Sequence, residues 1–175
     1  MFLKKFVRTL DLLNTLLGKF ASVLFIGLVG LTVFEVITRR FLGSPTIWTY
    51  EMTTFLFAPL VLFALGYTYI ENNHATIDIF YQKFSPERKA LVNVIMITLF
   101  LLPSSIILFI DTLEFALMSW DSLERTASAF NAPIYPVKTT MPIGYLFLMF
   151  AAISHLLKNI YFLVKKENLL EEKSS

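Results

Sequence analysis

Apolar positions along the chain gather into four runs, near residues 20–38, 52–70, 90–110 and 139–157, and charged, amide and hydroxyl side chains return between them. A hydrocarbon core of ~30 Å needs about 20 apolar residues at 1.5 Å rise, so each run predicts a spanning helix. The second and third runs carry no charged residue. The first carries only Glu35 and the fourth only His155. None therefore places an unpaired charge at mid-depth, where a charge costs several kcal/mol.

The polar intervals have patterns of their own. Phe2, Phe6, Leu10, Leu13 and Leu17 recur at spacings of three or four, with Lys4, Lys5, Arg8, Asp11 and Asn14 between them. This predicts an interfacial amphipathic helix over residues 1–19, ahead of a four-helix transmembrane domain over 20–164 and a cytoplasmic tail over 165–175. A cleaved signal peptide fits less well, because the first run is longer than such a segment and ends in Thr38-Arg39-Arg40 without small residues for cleavage. Ile77, Phe80, Tyr81 and Phe84 share a second short helical face. Ser85-Pro86-Glu87 then reads as a helix start, with Ser as cap, Pro in the first turn and Glu at the positive end of the dipole. Beyond the third run, Leu113, Leu117, Trp120 and Leu123 continue an apolar stripe against Asp111, Glu114, Asp121 and Glu124, so that helix is expected to run on or bend along the surface. Pro133 and Pro136 end it, and Lys138 marks the edge of the fourth span.

Charge decides the orientation. The N-terminal segment, the 71–89 loop and the residues after the fourth run, from Lys158 on, hold eleven basic residues, and the other two loops hold four: Arg39, Arg40, Arg125 and Lys138. The positive-inside rule then predicts a multi-pass protein of a bacterial inner membrane with both termini cytoplasmic and the 38–51 stretch facing outward. Composition agrees with the membrane assignment: of 175 residues 56% are hydrophobic and 16% charged, where a soluble chain has about 25% charged. Mean hydropathy is +0.66. The absence of cysteine removes disulfides, thiolate nucleophiles and Cys-held metal clusters, and a net charge of +2 gives no reason to expect nucleic acid. The glycine-rich phosphate loop, the dinucleotide fingerprint and the nucleophile elbow are all missing, so no cofactor and no enzyme activity are expected.

Three sets of residues invite a chemical reading. Glu35 and Arg39 are four apart at the outer end of the first span, either as a proton site or as an interfacial ion pair, and the pair is preferred. His74 and Asp78, also four apart, provide two ligands where a zinc site needs three or four, so a loop-ordering pair is preferred; His74 and His155 as haem ligands is a third-ranked reading. Pro59 and Pro103 sit inside spans without the paired interrupted helices of repeated halves that build transport sites. Trp48 and Trp120 fall where aromatic belts lie. These features describe an auxiliary subunit. The competing class is a self-sufficient four-helix exporter, proton-coupled through Glu35 and acting as a dimer.

The ordered set Thr38-Arg39-Arg40-Phe41, Gly43 to Trp48, Tyr50-Glu51, His74 with Asp78, Ser85-Pro86, Glu124-Arg125, Asn131 with Pro133-Ile134-Tyr135-Pro136, Lys138 and Pro142 resembles the small membrane subunit (DctQ-type) of tripartite ATP-independent periplasmic (TRAP) transporters, over about residues 15 to 160. Thr76 departs from the pattern, which often has a basic residue there. The resemblance implies a four-helix auxiliary subunit of a sodium-coupled, binding-protein-dependent symporter for organic acids. It implies a large translocating membrane subunit and a periplasmic substrate-binding protein as partners. Glu35, Arg39, Arg40, Trp48, Glu51, His74, Asp78, Asp121, Glu124, Arg125, Pro133, Pro136 and Lys138 are then candidates for structural or partner-docking roles, and no catalytic or metal site is expected.

Overall fold

Residues 2–41, 43, 46–71 and 84–170 are described in a computed structural model of the chain. The helices are α1 (Phe2–Phe41), α2 (Ile47–Ile70), α3 (Pro86–Met96), α4 (Leu102–Asp121), α5 (Tyr135–Lys138) and α6 (Thr140–Lys165), with a π turn over Ile97–Leu101 joining α3 to α4. Among the described residues four stretches are long and apolar enough to cross a membrane: Phe2–Phe41, Trp48–Ile70, Pro86–Asp121 and Tyr135–Lys165. They correspond one to one with the four apolar runs.

Among the described residues no separate interfacial helix is seen over 2–19. Residues 2–19 are the first half of α1, which continues without a break to Phe41. No proline interrupts this stretch, and Gly18 lies buried within it against the Tyr67 side chain. The buried face is also not the predicted one. Phe2, Phe6 and Leu13 point outward, while Val7, Leu10, Asn14, Gly18 and Ala21 point in. The reason is the solvent: lipid is as apolar as leucine, so nothing drives large side chains inward, and helices meet where small side chains let backbones approach.

The same rule organises the bundle. α1 packs on α2, α2 on α6, and α6 also on α1, α3 and α4, so α6 is the central helix. Its buried residues are Pro142, Gly144, Ala151, Ala152, Ser154 and His155. Bulky residues such as Val23, Ile26 and Phe100 are more than 60% exposed and form the lipid- or partner-facing surface. At the α1/α2/α6 meeting point, a Cβ on Gly66 would lie 2.1 Å from Asn14 Oδ1 and 3.0 Å from the Phe147 carbonyl, and one on Gly144 would lie 2.7 Å from Leu62 Cβ. Glycine at these positions therefore sets how closely the three helices approach.

Pro59 and Pro103 are absorbed differently. Pro59 lies inside a helix that stays continuous. Pro103 follows the π turn, in which the Leu102 N–H donates to the Ile97 carbonyl five residues back. That widened turn gives the Pro103 ring room where a regular helix would push it against a carbonyl, and the third span remains one rod. It starts as expected: Ser85 is its cap, accepting from Arg88 N at 3.4 Å, with Pro86 and Glu87 in the first turn. α2 starts earlier than the apolar pattern suggests, at Ile47, which places Glu51 in the second turn instead of at the helix opening.

Candidate functional site

The 38–51 stretch and the 121–138 stretch come together at one end of the bundle. α2 carries Glu51, a residue 7% exposed, into contact with the second loop, where its carboxylate accepts from Thr126 Oγ1 at 2.9 Å and from the Ser128 hydroxyl. Those hydroxyls in turn organise their own loop. Thr126 Oγ1 accepts from Ala132 N at 2.9 Å, Thr126 N donates to Ala132 O at 2.9 Å, and Ser128 Oγ accepts from Phe130 N at 3.1 Å. Arg125 pairs with Pro133 as an isolated antiparallel bridge and donates from its guanidinium to Asn131 O at 3.0 Å. Positive φ at Leu123 (47°) and Asn131 (50°) turns the chain at both ends of this small lasso.

A second knot ties the lasso to its base. Glu124 accepts from Ser119 Oγ at 2.7 Å and from the Lys138 ammonium, which is buried in α5 and stands 3.8 Å above the Phe115 ring. Trp120 donates from its indole N–H to Thr139 Oγ1 at 2.8 Å and packs against Tyr135 with ring centroids 4.5 Å apart. Trp120 thus fastens the end of α4 to the start of α6, beyond any role as a belt residue. Pro136 stands in the first turn of α5.

On the other loop, Glu35 receives Arg39 Nη2 at 3.1 Å and the Thr46 hydroxyl. Thr46 also bonds the buried Thr49, so the C-terminal end of α1 is stitched to the start of α2. Phe34 lies against Trp48, with centroids 6.0 Å apart. A cleft of 230 Å³ between α1 and α2 has Glu35, Arg39, Thr49 and Tyr50 in its wall. An exporter reading needs a carboxylate free to exchange protons; Glu35 is engaged from both sides.

The sequence-derived candidates therefore divide. Glu35, Glu51, Glu124 and Lys138 are spent on internal bonds, while Arg39, Arg40, Asp121 and Arg125 remain exposed at the rim. Pro133 and Pro136 shape the loop. His74 and Asp78 lie outside the described residues. His155 stands with Nε2 3.4 Å from Ile70 O and edge-on to Tyr69 at 4.9 Å. Among the described residues no three His, Asp or Glu side chains gather as metal ligands would. Periodicity and charge spacing did not point to the hydroxyls of Thr46, Thr49, Ser119, Thr126 and Ser128; their one signal was hydroxyl density beside acidic residues.

The knot at Glu124 has a pH signature. Hydrogen bonds from Lys138 and then Ser119 hold the Glu124 carboxyl below the ordinary 4.5, with the Lys138 charge adding to them and desolvation opposing. A depressed folded-state pKa contributes stability that is present above the unfolded value and lost as pH falls through the folded one. The loop is expected to hold from neutral pH down to about pH 5 and to loosen below it. Trp120 emission in a Trp48→Phe background reads this transition, and Glu124→Gln should flatten it; a titration unchanged by Glu124→Gln rules the knot out as its cause.

Comparison with known proteins agrees with this reading of the chain as a membrane subunit. No curated protein matches it. The family profile described as tripartite ATP-independent periplasmic transporters, DctQ component, matches residues 28–161, which is 134 of 175 residues and includes both loops and most of the bundle. On that match over most of its length, the chain belongs to the DctQ components of TRAP transporters.

Proposed function

We propose that this subunit is the stationary part of its transporter: it braces the large translocating subunit and presents the two-loop end, on the periplasmic side, to the substrate-binding protein. Membership in the DctQ family makes the chain a multi-pass transport protein of the inner membrane and not an enzyme, working in a complex with a large membrane subunit and a periplasmic binding protein. Sodium coupling and an organic-acid cargo are the finer parts of the proposal and rest on the resemblance of the chain to DctQ-type subunits. Cytoplasmic termini rest on the eleven-to-four division of basic residues.

The observation that carries the docking role is the division at the two-loop end. Glu35, Glu51, Glu124 and Lys138 are held by internal bonds, while Arg39, Arg40, Asp121 and Arg125 stay exposed on the rim, Arg39 against Glu35 and Arg125 against Asn131 O. Exposed charges on a fixed surface steer a soluble partner and set its register, and they do so more strongly at low salt. Reversing Arg39, Arg40 and Arg125 together to Glu should lower binding-protein-dependent uptake about tenfold at low ionic strength, with a smaller loss at high salt. The membrane complex should still assemble. Unchanged uptake by an assembled complex would sink the docking role.

A further inference from the structure

The opposite end of the bundle holds a polar groove that the docking role does not use. It measures 520 Å³ and lies between the first two turns of α3 and the last turns of α6. Lys89 and Lys158 supply ammonium groups to it, Asn93, Asn159 and Asn168 supply amides, and Phe162 forms an apolar wall. Among the described residues no Asp or Glu lines it. Behind Lys158 stands the carboxylate of Asp11 on α1, which holds that ammonium at 2.7 Å and Ser154 at 2.5 Å and so fixes the lysine in place. The amides are also held: Asn159 Nδ2 donates to His155 O at 2.7 Å, and Asn93 faces Asn159 at 3.5 Å.

Depth points to the class of ligand. Lys158 lies 18 residues beyond Thr140, the start of α6, and so rises about 27 Å, close to the ~30 Å of a hydrocarbon core. Lys89 sits one turn into α3, at the same end. Two lysines, one of them paired with Asp11, and three amides at headgroup level suit a phosphodiester, which offers one negative charge and several acceptors, and basic pockets between spanning helices on the cytoplasmic side suit acidic headgroups. The same two helices expose Leu91, Ile95 and Ile160, an apolar surface along which acyl chains can lie.

We propose that this groove binds the headgroup of an anionic phospholipid of the same leaflet, which clamps α3 to α6. The test is thermal unfolding of the purified full-length chain in uncharged detergent, with phosphatidylglycerol, phosphatidylcholine or inorganic phosphate added at equal concentration. Phosphatidylglycerol should raise the midpoint by about 5 °C more than either of the others. Lys89→Gln should remove most of that increment. Asn168→Asp, at an exposed position beyond α6, brings a carboxylate to the groove that repels a phosphodiester and should do the same, its increment being read against the lipid-free midpoint of that variant. Equal increments from phosphatidylglycerol and phosphatidylcholine overturn the proposal, as does an increment that survives in Asn168→Asp. An equal effect of inorganic phosphate would make this a free-anion site and overturn the lipid assignment.

Discussion

A single methyl group added at Gly66 should destabilise the protein by about 1–3 kcal/mol, the usual cost of overpacking a close contact. The new Cβ would stand 2.1 Å from Asn14 Oδ1 and 3.0 Å from the backbone carbonyl of Phe147. Asn14 has little freedom to swing aside, because it is fully buried and its amide nitrogen is bound to Leu10 O at 3.1 Å. The Phe147 carbonyl belongs to α6 and moves only with that helix. For a chain of this size 1 kcal/mol shifts a melting midpoint by about 2–4 °C, so Gly66→Ala should be visible in a thermal scan and Gly66→Leu should prevent stable accumulation in the membrane. The informative variant is the double one. Asn14 Oδ1 is a buried acceptor without a partner among the described residues, so Asn14→Ala alone removes little that is favourable and opens the space that the added methyl needs. Asn14→Ala with Gly66→Ala should therefore recover part of the loss, a coupling of about 1 kcal/mol. Recovery should stay incomplete because the Phe147 contact remains. Strictly additive losses would show that the helix approach is set elsewhere.

That contact also explains why the buried face of α1 differs from the face that its apolar spacing picks. Helical spacing of large apolar residues picks the face of Phe2, Phe6, Leu10, Leu13 and Leu17, which is the correct choice for a helix half in water. Within a bundle in lipid the packed face is the one that complements its neighbours in shape. Asn14 fits opposite Gly66 and Gly18 opposite Tyr67, and neither pairing is visible in hydropathy. The spans themselves were legible because the requirement behind them is one-dimensional: about 20 residues without uncompensated charge. The Glu35–Arg39 pair was legible for a similar reason, since four residues along a helix bring side chains together whatever surrounds them. The α2 helix begins ahead of the apolar run because the polarity of Thr46, Thr49 and Glu51 is consumed by contacts that the chain makes only when folded.

The family resemblance and the geometry supply different things. The ordered motifs identified the kind of subunit, and the family match establishes it. They could not separate charges that hold the loops from charges left for a partner. Glu124 and Arg125 are adjacent in sequence, yet Glu124 turns in to Ser119 and Lys138 while Arg125 stays on the surface. Mutating the first disturbs the loop at its base; mutating the second removes an exposed charge together with the bond to Asn131 O, so it tests docking only where the loop keeps its shape.

Replacing Glu51 with Ala should release the 122–134 loop while the helices beneath it stay folded. Its carboxylate is buried and is satisfied by two hydroxyls that lie 75 and 77 residues further along the chain. A hydrogen bond to a charged group contributes about 1.5–3 kcal/mol, and its loss here leaves Thr126 and Ser128 with only their bonds inside the loop. At 1.4 kcal/mol per factor of ten, amide exchange at Thr126, Asn131 and Ala132 should accelerate about 10- to 100-fold. Amides of α6 should be nearly unaffected, because the glycine and alanine contacts at the bundle seam do not involve this loop. Glu51→Gln retains one carbonyl acceptor and should fall between wild type and Glu51→Ala. Thr126→Val added to Glu51→Ala should cost less than Thr126→Val alone, since the partner is already gone. If the loop orders the surface that meets the binding protein, uptake falls in the same sequence, wild type above Gln above Ala. Loop exchange rates that stay at the wild-type value in Glu51→Ala would mean that the Glu124–Lys138 knot holds the loop without help from α2.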